Sequence, residues 1–289
     1  MKKTKHISLF LCAFFVLMFT NVRANRVADT LYINSDTLTK GFQFIHFCGF
    51  NNSPVFSEIN AKLYVQTGDT LDLTIVNNDT LIHDLTVDNQ LTSGNTIAPS
   101  DTAIFSLSFN SEGTYRFYSS YAYGQLQGAS GMILVGYPGK KHFFWNLFDQ
   151  DSLYSKNVSL GLQTGFSSTY KPGIFTINSF SYPQTSMDKF GNVMANVGDS
   201  IIISIVNSGH MISTLHMHGY HFKIIQTTKD LQKLNWVKDS APLVPYEAMT
   251  ILVVPDKPGE YPVHNHNLIS NTNYGIYPGG MMTHLMIDP

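Results

Sequence analysis

Residues 215–222 read LHMHGYHF, with histidines at 216, 218 and 221, and residues 262–270 read PVHNHNLIS, with histidines at 264 and 266. Five of the chain's 11 histidines therefore fall in two short segments, which singles these segments out as the place to look for chemistry. Neutral imidazole is a common metal ligand. In an extended strand residues i and i+2 face the same side, so His216 shares a face with His218, and His264 with His266. His221 falls on the opposite face and is expected to pack or hydrogen-bond. One His-x-His pair is ordinary; two pairs on neighbouring strands make a four-imidazole metal site.

The elements that must position these pairs are strands. LDLTIVN from Leu71 alternates Leu71, Leu73 and Ile75 with outward positions, IIISIVN from Ile201 is rich in β-branched residues, and clusters of Gly, Asn, Asp, Ser and Pro separate such runs. Amphipathic helical patterns are lacking, so the chain reads as all-β, of sandwich type. An internal repeat sharpens this reading. VQTGDTLDLTIVN (65–77) superposes on ANVGDSIIISIVN (195–207), and EGTYRFYSS (112–120) on PGEYPVHNH (258–266). Upstream, FCGFNNSPVF and FTINSFSYPQT look like equivalent first strands. The predicted division is a leader at 1–24, a first domain at 25–138, a segment at 139–172 too aromatic for a flexible linker, and a second domain at 173–289.

Lys2, Lys3 and Lys5, the apolar run LFLCAFFVLMFT and Ala24 together read as an export signal, which predicts a periplasmic or secreted protein. No later apolar run approaches the roughly 20 residues of a membrane helix. Losing the leader's four basic residues moves the formal charge from −2 to −6, which argues against a nucleic-acid partner. Of the two cysteines only Cys48 lies outside the leader. It reads as a buried small hydrophobe, or as a metal contact made with His46. For the histidine set, copper heads the divalent affinity order; an exported all-imidazole set favours it, and zinc stays open by chemistry alone.

At these residues the chain resembles the multicopper oxidases and, in its two-domain layout, the small laccases and copper nitrite reductases. GDTLDLTIVN, GDSIIISIVN, LHMHG, PGEYPVHNHNLI and the final GGMM carry the resemblance. It implies two tandem cupredoxin-like Greek-key β-sandwich domains, copper as cofactor, and a homotrimer in which metal lies between one subunit's first domain and its neighbour's second. It assigns His216 to a type 2 copper and His218, His264 and His266 to a type 3 pair.

The family takes its other histidine pairs from the first domain. Here the internal alignment sets Thr86 and Asp88 against His216 and His218, and Tyr118 and Ser120 against His264 and His266. The family's blue-copper cysteine position holds Asn265, or Ser119 in the first domain, and the histidine position three residues before HMHG holds Ser213. Its counterpart His83 remains, read as structural or as a ligand lent across an interface; Tyr118, Asp88 and His83 are the first-domain groups expected nearest the metal.

The leading expectation is an exported copper-binding protein of multicopper oxidase type, an oxidoreductase acting on a small substrate bound directly, without a blue centre. The alternatives are copper sequestration or delivery, with a copper donor or acceptor as partner, and a non-catalytic structural module. Met211, Met217, Met281 and Met282 flank the histidines; thioethers favour Cu(I), though methionine also fills cores. No nucleophile-elbow sequence supports a hydrolase.

Overall fold

The computed structural model describes residues 24–92, 94–162 and 169–289. The expected leader lies outside the described residues except for Ala24. In the first sandwich, Arg26–Lys40 pairs antiparallel with Gln43–Asn51 and parallel with Thr70–Asn77, and Thr102–Ser108 follows at the edge. The facing sheet has the order Lys62–Val65, Ser130–Val135, Gly113–Tyr118, Thr86–Val87. The period-2 pattern is the cause: Leu71, Leu73 and Ile75 are buried in the core while Thr70, Asp72 and Thr74 between them remain partly exposed.

The second sandwich is built the same way. Its six-stranded sheet runs Ile174–Ile177, Lys141–Gln150, Ile201–Asn207, Ala248–Val253, Phe222–Thr227, Val237–Lys238. Its five-stranded sheet runs Val193–Asn196, Met282–Asp288, Gly259–Asn265, Ser213–Met217, Ser240–Leu243. Trp145 is fully buried in its core and donates its indole N–H to the Gly191 carbonyl at 2.8 Å. Among the described residues no helix is long and apolar enough to cross a membrane.

Two expectations need adjustment. FCGF and FTIN do occupy equivalent places, but each is the second strand of its sandwich, preceded by Arg26–Lys40 or Lys141–Gln150. These longer strands pair in parallel with the Gly-Asp strands. The segment 139–172 is correspondingly shared out. Lys141–Gln150 belongs to the second sandwich, and helix Ser152–Ser159, capped by Asp151 through the N–H groups of Leu153 and Tyr154, lies against Gln43–Asn51 of the first.

Ile201–Asn207 is buried along its whole length because both its faces are covered. Ile201, Ile203 and Ile205 face the second core, while Ile202 and Val206 meet Met132 and Leu134 of the first sandwich. A hydroxyl cluster seals the same seam: Thr114 Oγ1 lies 2.6 Å from Ser204 Oγ and 2.7 Å from Thr250 Oγ1.

Candidate metal centre

Ser213–Met217 and Gly259–Asn265 are antiparallel neighbours, with His216 directly opposite His264. Alternation buries Leu215 and Met217 in the core and turns His216 to the outer face of the sheet. The backbone extends this pairing at both ends, through His218 N–H to the Pro262 carbonyl at 2.9 Å and His266 N–H to the Thr214 carbonyl at 2.6 Å. Gly219, next along, has φ +79, and a Cβ there would meet the Tyr261 ring at 2.2 Å. The glycine in LHMHG is therefore required by the backbone turn and by close packing.

His216, His218 and His264 each offer one ring nitrogen to a group whose members lie within 4.8 Å of one another. His218 Nε2 and His264 Nε2 are 3.1 Å apart. Two nitrogens each about 2.0–2.1 Å from one ion would lie roughly 2.9–3.4 Å apart, from a right angle to the tetrahedral angle, so the pair fits a shared metal. The second nitrogens are held from outside: His216 Nδ1 hydrogen-bonds Ser240 Oγ at 2.8 Å, and His264 turns Nδ1 to the Asn265 carbonyl at 3.1 Å. Such partners fix ring orientation and tautomer. Burial, then the neighbouring His218 and His264, push the pKa of His216 below the ordinary histidine value and favour the neutral form a metal binds.

His266 stands at the rim. Its ring centroid is 5.4 Å from that of His216, but the ring is exposed and its nitrogens lie outside the three-histidine group. His221 is exposed and also outside it. Of the four methionines, Met217 and Met281 are buried in the second core and Met211 packs against it. Met282 lies opposite His264 in the next strand and so shares the histidine face. His284, two residues on, shares that face as well and lies 3.7 Å from Glu260. Methionines stand at i±2 of His284, so His-x-His spacing does not single it out.

The positions where the resemblance places a blue site are filled by hydrogen bonds. Buried Asn265 accepts the Thr214 and Asn267 N–H groups and points Nδ2 at Met281 Sδ, 3.3 Å away, with Ser213 Oγ on the same sulfur at 3.9 Å. In the first sandwich Thr86 stands opposite Tyr118, the register of His216 and His264. Tyr118, Asp88 and Arg116 there line a cleft of about 330 Å³ with Lys229 and Tyr246. The Arg116 guanidinium lies 3.8 Å from the Tyr118 ring centroid, and its Nε is 3.4 Å from Asp88.

His83 is almost fully buried, so it is not available to a neighbouring subunit. His46 does not join Cys48: its Nδ1 hydrogen-bonds Thr37 Oγ1 at 2.8 Å, and the Cys48 thiol meets His83 instead. Sequence spacing missed this contact because 35 residues separate the two.

A multicopper oxidase family model matches residues 165–288. Among solved structures, the blue copper oxidase from Nitrosomonas europaea superposes with a TM-score of 0.75 at 20% identity, covering 91% of this chain and 86% of that one. The multicopper oxidase mgLAC gives 0.74 at 19% identity, covering 92% and 87%. The copper-containing nitrite reductase from Thermus scotoductus SA-01 gives 0.68 at 20%, covering 92% and 62%. No curated protein matches the sequence significantly. The fold is that of two-domain cupredoxin-like proteins. The multicopper oxidase family match falls within the second of the two domains and the segment that leads into it.

Proposed function

We propose that this is an exported copper protein, periplasmic or secreted, whose copper is held by His216, His218 and His264 with His266 at the rim, and which acts as an oxidoreductase on a small substrate bound directly at that site. The observation that carries the reading is the convergence of three imidazoles on the outer face of the sheet, with the His218 and His264 nitrogens 3.1 Å apart. Copper bound there supplies one-electron exchange and Lewis acidity. The chain's own contribution is to hold the rings, through Ser240 and the Asn265 carbonyl, and to leave the site open to solvent through the exposed His218. Asn265 and Ser119 stand where a thiolate would be needed for a blue centre, so long-range electron entry through such a centre is not part of the proposal. A homotrimer would bring a neighbour's first sandwich to the exposed face.

The test is copper stoichiometry and paramagnetic resonance on the purified protein, followed by turnover of nitrite, peroxide or dioxygen with a small-molecule reductant. The expected result is a non-blue copper signal, and turnover, both lost in His216→Ala with His264→Ala. Copper uptake unchanged by that double substitution would overturn the reading. Met282 beside His264 favours a second reading, copper delivery, which predicts tight Cu(I) binding weakened by Met282→Leu and no turnover.

A further inference from the structure

Away from the histidine face, the first sandwich encloses a second group of donors. Cys48 of strand Gln43–Asn51, Asp79 of the loop after Thr70–Asn77, and His83 at the start of the short strand His83–Asp84 are all buried, and their ligand atoms lie within 4.8 Å of one another. Cys48 is 0% exposed, His83 1% and Asp79 8%. His83 Nε2 is 2.7 Å from Asp79 Oδ2 and 4.0 Å from Cys48 Sγ. We infer that Cys48, Asp79 and His83 form a buried binding site for one divalent transition-metal ion of the zinc type, independent of the exposed histidine set.

Charge and outer contacts both support this. A thiolate, a carboxylate and a neutral imidazole together carry two negative charges, which a divalent ion cancels. That removes the cost of burying a charge, which is otherwise prohibitive. Mixed sulfur, nitrogen and oxygen donors suit zinc. The outer contacts are those of a ligating histidine. His83 Nδ1 is 2.9 Å from Ser119 Oγ, and that hydroxyl donates onward to Asp84 Oδ1 at 3.2 Å. Asp84 is anchored by the N–H groups of Ser120 and Tyr121 and by the Ser120 hydroxyl. The chain imidazole, hydroxyl, carboxylate leaves Nε2 as the nitrogen facing the cysteine and Asp79. Asp79 is steadied in turn by Ser35 Oγ at 2.7 Å.

Zinc distances of about 2.3 Å to sulfur and about 2.0–2.2 Å to nitrogen and oxygen place tetrahedral donors roughly 3.4–3.6 Å apart. From the 4.0 Å and 2.7 Å seen, the thiol must close by about 0.4 Å and the carboxylate open by about 0.7 Å, shifts within side-chain rotation. Binding displaces the thiol proton of Cys48 and the proton shared between His83 and Asp79, and releases both to solvent.

The test removes the other candidate ligands first. Protein carrying Cys12→Ser and alanine at positions 216, 218, 264 and 266 is unfolded and refolded with Zn(II) or Co(II), then freed of loose metal with a chelator. The expected result is about one retained ion per chain and, with cobalt, a thiolate-to-metal charge-transfer band. Cys48→Ala should abolish the band, and Asp79→Asn should reduce retention at least tenfold. Should the multiple variant fold poorly, Cys12→Ser alone decides, since any thiolate band then comes from Cys48. No thiolate band in that protein, or retention unaffected by Cys48→Ala, overturns the inference. Because the exposed histidines are absent in the first protein, its result is separate from that of the copper reading.

Discussion

His216 faces His264 across two antiparallel strands of the second sandwich, and Thr86 faces Tyr118 across the corresponding strands of the first. The same backbone register thus presents imidazoles in one sandwich and a hydroxyl and a phenol in the other. Position alone does not make a ligand; the side chain that the register delivers does. Removing a delivered imidazole should therefore remove metal without removing the strand pairing. His216→Ala and His264→Ala are each expected to weaken copper binding beyond the roughly 10–100-fold typical of losing an outer partner, with unchanged β-sheet circular dichroism. His266→Ala should cost less, because its ring lies outside the three-nitrogen group. Isothermal titration with Cu(II) against a competing chelator measures all three.

Ser240 is the next residue out from the three-histidine group. Its hydroxyl holds His216 Nδ1 at 2.8 Å and thereby commits Nε2 to the site. Ser240→Ala should reduce copper affinity by about 10–100-fold while all the histidines remain. Affinity equal to that of the parent protein would show that His216 is oriented by strand packing alone.

The sequence displayed the histidine pairs and the Gly-Asp strands because both follow period-2 spacing, which needs only neighbours along the chain. Arg26–Lys40 was not visible as a strand: RVADTLYINSDTLTK mixes polar and apolar residues without clean alternation, and its place depends on pairing with Thr70–Asn77. KHFFWNLFDQ was misplaced for the opposite reason, being apolar on both faces because it is covered on both. Ser240 and the Cys48–His83 contact lay beyond reach, since other strands intervene along the chain: Phe222–Thr227 and Val237–Lys238 between His216 and Ser240, and Lys62–Val65 and Thr70–Asn77 between Cys48 and His83. Met217 illustrates how alternation settles a question composition left open: one residue from His216, it faces the core.

Lys233 and Glu247 form a buried pair, 3% and 0% exposed, with the ammonium 3.0 Å from each carboxylate oxygen. Thr227 Oγ1 and the Val244 N–H also donate to Glu247, and Lys233 donates to the Pro242 carbonyl. Lys233→Met would leave the carboxylate buried without its cation, at a cost of about 3–5 kcal/mol. Chemical denaturation should show a lower midpoint with an unchanged slope.

His210 is buried against Asp149 and Tyr246, and burial holds its pKa below the ordinary histidine value, with Asp149 partly opposing. The unfolded chain therefore takes up a proton at this site at a higher pH than the folded chain does. Stability from His210 is fully present above the unfolded value of about 6.5 and declines as pH falls from there toward the folded value. The slope for one proton is at most about 1.4 kcal/mol per pH unit. Denaturation midpoints of the parent and His210→Phe, compared between pH 7.5 and pH 5.5, should show the parent losing stability more steeply on acidification. Parallel slopes would mean that His210 titrates alike in both states.

Gly219 tests whether fold and site share a residue. Its φ of +79 is unfavourable for a side chain, and an added Cβ would sit 2.2 Å from Tyr261, whose ring packs on Tyr220 at 4.6 Å. Gly219→Ala therefore meets both backbone strain and a clash, each on the order of 1 kcal/mol or more. Relief is available by moving Tyr261 or by shifting the backbone at His218. Tyr261 is confined by its hydrogen bond to the Pro258 carbonyl and by the Tyr220 ring, and the backbone at His218 by its N–H bond to the Pro262 carbonyl, so the strain is shared between the ring and the residue next to Gly219. Any share taken at His218 disturbs the 3.1 Å approach of its Nε2 to His264 Nε2. Gly219→Ala should accordingly lower copper affinity more than Tyr261→Leu does, although both loosen the same packing. Equal losses in the two variants would place the effect in packing alone and separate the glycine from the metal site.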